Sequence, residues 1–230
     1  MVGIIGAMEE EVRELIEDMT ECEMQEKASM KFYKGQLYGK EAVVVQSGIG
    51  KVNAGICTQI LADFYQVDQL INTGVAGSLD AEINIGDVVV STDAVEHDMD
   101  VSALGDPVGQ VPRMDVFAFP ADDELVKKAI AANEKANPDI RTFTGRVASG
   151  DQFISAKEVK ERIVENFGAK CAEMEGAAIA HGAYLNKIPC VIIRAISDKA
   201  DGSAQVDYPT FEKQAIIHGV KLMKELLPTL

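Results

Sequence analysis

The run Val191-Ile192-Ile193-Arg194-Ala195-Ile196-Ser197-Asp198 limits the folds open to this chain more than any other stretch. Val191, Ile192, Ile193 and Ile196 are β-branched and apolar, and they fall on both faces of an extended segment. A strand of that composition is covered on both sides, which implies an α/β sheet with helices above and below it. Asp198 closes the run, and Asp201-Gly202-Ser203 then reads as a break into a loop. In open α/β sheets, ligands sit outside the carboxyl ends of the strands, so Asp198 stands where an acid would meet a substrate. An aspartate after a strand also caps turns. This segment alone leaves both roles open.

The rest of the chain alternates strand and helix patterns without a Gly/Ser/Pro-rich linker, and residues 1–230 read as one domain. Val2-Gly3-Ile4-Ile5-Gly6 predicts a first strand. Met8, Val12, Leu15, Ile16 and Met19 recur at helical spacing directly after it. Segments 32–37 and 41–46 flank Tyr38-Gly39-Lys40 as a hairpin. Ser47-Gly48-Ile49-Gly50-Lys51 predicts a glycine turn into a helix. Leu70-Ile71-Asn72 predicts a short strand that leaves through a turn at Thr73-Gly74-Val75-Ala76-Gly77. Further strands are predicted at 87–91 and 146–149, and helices at about 122–135, 156–166 and 176–186. The last helix is expected from about Asp207 to Leu227, with Pro209 in its first turn. Segment 104–120 is irregular and carries Pro107, Pro112, Phe117, Phe119 and Pro120. It reads as a mobile loop or as apolar surface held against a second subunit.

Composition narrows the partners. The chain has 230 residues and a formal net charge of -15, which would repel a phosphate backbone or an anionic bilayer. Neither nucleic acid nor membrane is therefore an expected partner, and the acidic balance reads as a solubility device. The apolar run from Val2 to Met8 is too short for a membrane span and lacks the basic start of a signal peptide. Cys22, Cys57, Cys171 and Cys190 are scattered without metal-type spacing and read as reduced thiols of a cytoplasmic protein.

Acids and glycines supply the candidate chemistry. Gly6, the pair Gly48 and Gly50, and the pair Gly74 and Gly77 sit where backbone could approach a ligand. The same glycines would also serve helix-on-sheet packing, and their spacing matches neither a dinucleotide fingerprint nor a P-loop. Glu9, Glu10 and Glu11 open the first helix, where acids are favoured by the helix dipole alone. Glu10 points away from the apolar face and Glu9 and Glu11 flank it; periodicity does not choose between those two. Cys171-Ala172-Glu173-Met174-Glu175-Gly176 places two glutamates between a strand and a helix of small residues. If that helix packs closely, the glutamates need partners, and one could accept two ribose hydroxyls. They would equally serve as helix caps. His97, Asp98 and Asp100 lack a second ligand cluster, so no metal is expected, and no cofactor is implied. His181 and His218 fall within helices and read as packing or surface residues.

Six segments in register resemble the bacterial 5′-methylthioadenosine/S-adenosylhomocysteine nucleosidases of the nucleoside phosphorylase superfamily. They are Gly3-Ile4-Ile5-Gly6-Ala7-Met8-Glu9-Glu10-Glu11, Ser47-Gly48-Ile49-Gly50-Lys51-Val52, Ile71-Asn72-Thr73-Gly74, Ser149-Gly150-Asp151-Gln152-Phe153-Ile154, Glu173-Met174-Glu175 and Arg194-Ala195-Ile196-Ser197-Asp198. The resemblance implies a three-layer α/β/α sandwich around a mixed, largely parallel sheet, a homodimer, and hydrolysis of the bond between adenine and a thio-substituted ribose. It makes Asp198 the general acid to adenine and Glu11 the base that activates water. It assigns Glu173, Met174 and Glu175 to the ribose region, Arg194 to the neighbourhood of Glu11, and Phe153 and the Ile154 backbone to adenine. Ser197 would hold Asp198, while Met8, Ile49 and Tyr208 would line the ribose and alkylthio end. Val101, Leu104 and Pro112 would reach the neighbouring subunit's pocket. Two departures stand out: Val75 where some members carry serine, and Tyr208 where phenylalanine is common. A phosphorylase, or a nucleosidase for another purine nucleoside of the futalosine type, is the alternative.

Overall fold

The computed structural model describes residues 1–201 and 203–230; Gly202, one of the loop residues read after Asp198, lies outside them. The first half of the chain forms β1 (Val2–Gly6), α1 (Glu9–Glu17), β2 (Thr20–Lys27), β3 (Met30–Leu37), β4 (Lys40–Gln46), α2 (Lys51–Ile60), β5 (Gln69–Ser78) and β6 (Val88–Glu96). The second half forms β7 (Phe119–Pro120), α3 (Asp123–Ala136), β8 (Thr142–Ser149), α4 (Lys157–Phe167), β9 (Cys171–Glu173), α5 (Gly176–Asn186), β10 (Cys190–Asp198) and α6 (Ala204–Leu226).

The strands join in one mixed sheet in the order β10-β6-β8-β9-β5-β1-β4-β3-β2, with β7 on β6. β4, β1, β5 and β10 run parallel, as do β6, β8 and β9. Pairing of β10 with both β5 and β6 closes β5, β9, β8, β6 and β10 into a ring. Half of the sheet is thus curled into a small barrel without free edges, and the other half extends from it.

Strand alternation explains the three layers. Along β10, Val191, Ile193 and Ala195 face a core shared with α1, α3 and α6, whereas Ile192 and Ile196 face α5. Ile4 and Ile5 of β1 divide the same way, Ile5 meeting Ala54 and Cys57 of α2. Helices on both faces are what the doubly apolar β10 segment requires.

Three expectations are corrected. Thr73-Gly74-Val75-Ala76-Gly77 is not a turn but the second half of β5, in parallel register with β10, Gly74 beside Arg194 and Gly77 beside Asp198. A Cβ on Gly74 would collide with the Glu11 carboxylate and the Arg194 guanidinium. One on Gly77 would stand 2.7 Å from Asp198 Oδ1. These glycines admit side chains rather than bend the chain. β2 was not anticipated, because its Thr-Glu-Cys-Glu-Met-Gln-Glu-Lys sequence has no buried face: it is a charged edge strand, exposed along almost its whole length. α6 begins at Ala204, ahead of the expected Asp207, so Pro209 lies inside the helix rather than in its first turn. Among the described residues, no helix is long and apolar enough to cross a membrane.

Phe32 is fully buried and stacks on Tyr65 at 5.2 Å between ring centroids, joining β3 to the end of the α2 segment. Phe32→Ala is expected to destabilise the fold by about 3–5 kcal/mol through lost burial and the residual cavity. Guanidinium unfolding should show a lower midpoint at an unchanged slope.

Candidate active site

The carboxyl ends of β1, β5, β9 and β10 converge on a cavity of about 350 Å³. Its floor and walls come from the β1–α1 turn (Met8, Glu11), the second half of β5 (Val75, Gly77), the β9–α5 turn (Glu173, Met174, Glu175) and the end of β10 (Ser197, Asp198). Ile49, Phe153 and Tyr208 complete it.

Glu11 sits in the first turn of α1 and folds back on its own helix start. One carboxylate oxygen accepts from the amides of Ala7 at 2.7 Å and Met8 at 3.0 Å; the other accepts from the Val75 amide at 3.1 Å. Burial raises its pKa, against the opposing pull of the Arg194 charge and those amides. Burial also makes the choice that periodicity left open. Glu9 and Glu10 remain exposed beside Arg13, and only Glu11 enters the cavity.

Asp198 ends β10. Its Oδ1 accepts from the Ala200 amide at 2.7 Å and its Oδ2 from the Ser197 hydroxyl at 2.9 Å. The turn-capping role and the cavity position therefore coexist in one side chain. Its pKa is raised chiefly by burial, with Asp207 and Asp201 adding like charge.

Glu173 and Glu175 diverge although they are two residues apart. Glu173 accepts from Ser149, from Arg194, and from the amides of Gly176 at 2.7 Å and Glu175 at 3.1 Å. Burial pushes its pKa up, but the Arg194 charge and these donors outweigh it and hold the group below its ordinary value. It caps α5 and anchors Arg194. Among the described residues, the Glu175 carboxylate accepts only from the Gly50 amide, at 2.8 Å. Burial and the neighbouring Glu173 push it up to about 7.

Arg194 does not line the cavity. It lies beneath it, donating to Glu173, to Asn72 and to its own strand, with Nε unpartnered. The Ile154 side chain is likewise buried in the cluster with Leu79 and Ile163 rather than in the lining. Val101, Leu104 and Pro112 are not among the lining residues, and Leu104 is 85% exposed. Phe153 is half exposed and meets Tyr208 edge-on at 5.8 Å.

Sequence reasoning missed a brace behind the glycine turn. Gly48 and Gly50 adopt positive φ of 82° and 95°, as a turn into α2 requires. The Lys51 amide donates to Asp151 at 2.8 Å, and its ammonium reaches Asp98 at 2.6 Å and Glu96 at 3.0 Å. Asp98, considered above for metal binding, is thus an ion-pair partner. Glycines at a helix start were legible; the acids gathered from β6 and the residue 150 region were not.

With this geometry in view, relatives identify the lineage. A family-wide profile for the phosphorylase superfamily matches residues 1–228. The 5′-methylthioadenosine/S-adenosylhomocysteine nucleosidase of Staphylococcus carnosus is 43% identical over 231 aligned positions, covering 100% of both chains. The chain belongs to this nucleosidase family. Among solved structures, the nucleosidase of Colwellia psychrerythraea in complex with adenine matches with a TM-score of 0.95 at 40% identity, covering 100% of this chain and 95% of that one. The futalosine hydrolase of Helicobacter pylori matches at 0.94 and 33% identity, covering 100% and 97%. The nucleosidase fold is therefore the α/β/α architecture described above.

Glu175 also carries a stability prediction. A carboxyl whose folded pKa is raised binds more protons folded than unfolded, so stability is lost as pH rises from about 4.5 to about 7. Glu175→Gln removes that penalty while retaining an acceptor for Gly50. The variant is expected to exceed the wild type by up to about 3 kcal/mol at pH near 8, the gap closing toward pH near 4.5. Thermal unfolding across that range checks it.

Proposed function

We propose that this chain hydrolyses the N-glycosidic bond of 5′-methylthioadenosine and S-adenosylhomocysteine, releasing adenine and the thioribose. One observation carries the choice of water over phosphate: the cavity is lined by Glu11, Glu173, Glu175 and Asp198 and, among the described residues, by no lysine, arginine or histidine. A phosphate dianion needs positive charge. The cation beneath, Arg194, is already engaged by Glu173 and Asn72.

Breaking this bond builds positive charge on the sugar and negative charge on the departing base. Asp198, with a raised pKa and neutral donors around it, is suited to hold a proton and deliver it to nitrogen 7 of adenine. Glu11, near Arg194 and bonded by three amides, is suited to take a proton from water. Glu175, with one partner, has acceptor capacity for ribose hydroxyls, and Met174 would lie against the sugar. Phe153 would stack on adenine and the Ile154 backbone would bond its edge. Met8, Ile49 and Tyr208 then receive the 5′ substituent.

The same reading makes residues 1–230 one catalytic domain, active as a homodimer. Exposed Val52 and Ile56, about one turn apart on α2, with Leu104 and Leu185, offer apolar surface for the partner. Val101, Leu104 and Pro112 would close the neighbour's cavity. Sedimentation should give twice the chain mass; a monomer at micromolar concentration would remove the dimer. Four free cysteines support a reducing, cytoplasmic location. The structural match to a futalosine hydrolase favours a second reading, in which other purine nucleosides are also cleaved.

Free adenine should appear from methylthioadenosine at the same rate with and without phosphate, and strict phosphate dependence would sink the hydrolase. Asp198→Asn and Glu11→Gln should each reduce kcat by about 10²–10⁴-fold while nucleoside binding persists. A near-wild-type rate in either variant removes that residue from its role.

A further inference from the structure

Asp198 ends β10, and the turn that follows it is held from outside the cavity. The Ala200 amide donates to Asp198 Oδ1 at 2.7 Å, and Ala200 does so from the left-handed region, at a φ of 50°. Alanine rarely adopts this conformation, which persists where its surroundings impose it. The Ala200 side chain shares a buried cluster with Leu79, Ile154 and Ile163. Gly77 of β5 makes room for it, since a Cβ there would stand 2.8 Å from that of Ala200.

Two lysines grip the same turn. The Lys160 ammonium, reaching over from α4, donates to the Lys199 carbonyl at 2.5 Å, and the Lys199 ammonium donates to the Ile83 carbonyl. Lys160 is largely buried, 4.0 Å from Asp201 Oδ2, and is not among the residues that line the cavity. Asp201, Asp198 and Asp80 favour its charge, while burial and Lys199 oppose it. The carbonyl that Lys160 holds and the amide that Asp198 receives belong to one planar peptide unit. Fixing its oxygen therefore fixes the direction of its N–H, and a donor on the oxygen also polarises the N–H toward Asp198.

We infer that Lys160 is a positioning residue for Asp198, acting through the peptide unit between Lys199 and Ala200. The inference rests on the nucleosidase reading above, in which Asp198 is the acid. The Ala200 amide on Oδ1 and the Ser197 hydroxyl on Oδ2 together set the plane of the carboxyl group, and so the direction in which a proton leaves it. Without the ammonium on its oxygen, the peptide unit can rotate and relieve the left-handed backbone at Ala200, which turns the N–H away. The carboxyl group is then steered by Ser197 alone. The loss falls on proton transfer and not on nucleoside binding, because Met8, Glu175 and Phe153 reach the cavity from other elements.

Adenine release from methylthioadenosine tests this, with rates expressed per site titrated by a non-hydrolysable adenosine analogue, so that loss of folded protein cancels. Lys160→Met should lower kcat and kcat/KM together by about 10–100-fold, with KM within about twofold of the wild type. Lys160→Arg keeps a donor for the carbonyl and should recover most of that loss. Lys157→Met removes an exposed lysine of the same helix, paired with Glu161 at 3.6 Å, and should change neither constant. In an Asp198→Asn background, with enzyme in excess, Lys160→Met should cost no more than about twofold, because the residue acts through Asp198. A wild-type kcat in Lys160→Met, or an equal loss in the two backgrounds, overturns the positioning role. Absence of adenine with wild-type protein overturns the nucleosidase reading instead, and the role with it.

Discussion

The buried pair of Arg194 and Glu173 is the interaction on which the rest of the site depends. Both side chains are almost wholly out of water, where an unpaired charge would cost several kcal/mol, so neither tolerates loss of the other. Their bonds reach well beyond the pair. Glu173 receives Ser149 from β8 and the amides that open α5; Arg194 reaches Asn72 of β5, which donates in turn to the Ile5 carbonyl of β1 at 2.9 Å. One charge cluster thereby ties together the strand ends from which the cavity is built. It also consumes the cation. With Arg194 held by Glu173, the lining above it is left acidic, and that shapes what the cavity can bind.

Packing β5 against β10 at this point demands the absence of side chains as much as their presence. Gly74 and Gly77 lie opposite Arg194 and Asp198, and the vacated Cβ positions are where Glu11, Arg194 and Asp198 pass. Glycine in a strand interior weakens it by roughly 0.5–1 kcal/mol relative to alanine. Parallel pairing with β10 along Gly74–Gly77, joined by antiparallel pairing of Gly77 with Ala172 of β9, offsets this within the closed ring.

This is also where sequence reading stopped short. Periodicity found the cores of β1, β4 and β10 and most helices, because doubly apolar strands and a helical stripe are local properties. In sequence Gly74 and Gly77 read as a turn, because a glycine that admits a distant side chain looks the same there as one that bends the backbone. Periodicity passed over β2, whose stability comes from pairing with β3 and not from a buried face. The acids show the same division. Their presence at a helix start and at a strand end was legible. That Glu11 and not Glu9 turns inward depends on amides supplied by β5 and by the β1–α1 turn, and no window of sequence contains both. Family resemblance carried that choice across the gap. The Lys51 brace and the bond from Tyr208 to Glu212 became visible only in the packing.

Four carboxyl groups around one cavity would be a liability in a binding protein, yet the proposed hydrolysis needs them in different protonation states. The environments separate them. Asp198 has a hydroxyl and one amide as donors, with further aspartates nearby, and burial raises its pKa toward the protonated acid. Glu11 is buried too, and its pKa stays raised although Arg194 and three amides oppose the rise. Glu173, saturated by Arg194, stays ionised and acts as scaffold. In Glu175, burial and the charge of Glu173 outweigh Arg194 and the Gly50 amide and push the group up to about 7. Groups of like chemistry pushed apart by their surroundings are the arrangement that acid–base catalysis near neutral pH requires. On this view the strain of burying so many acids is not an incidental cost of the fold. It raises the pKa of Asp198 toward the acid that the proposed step requires, while in Glu11 three amides and Arg194 oppose the same rise.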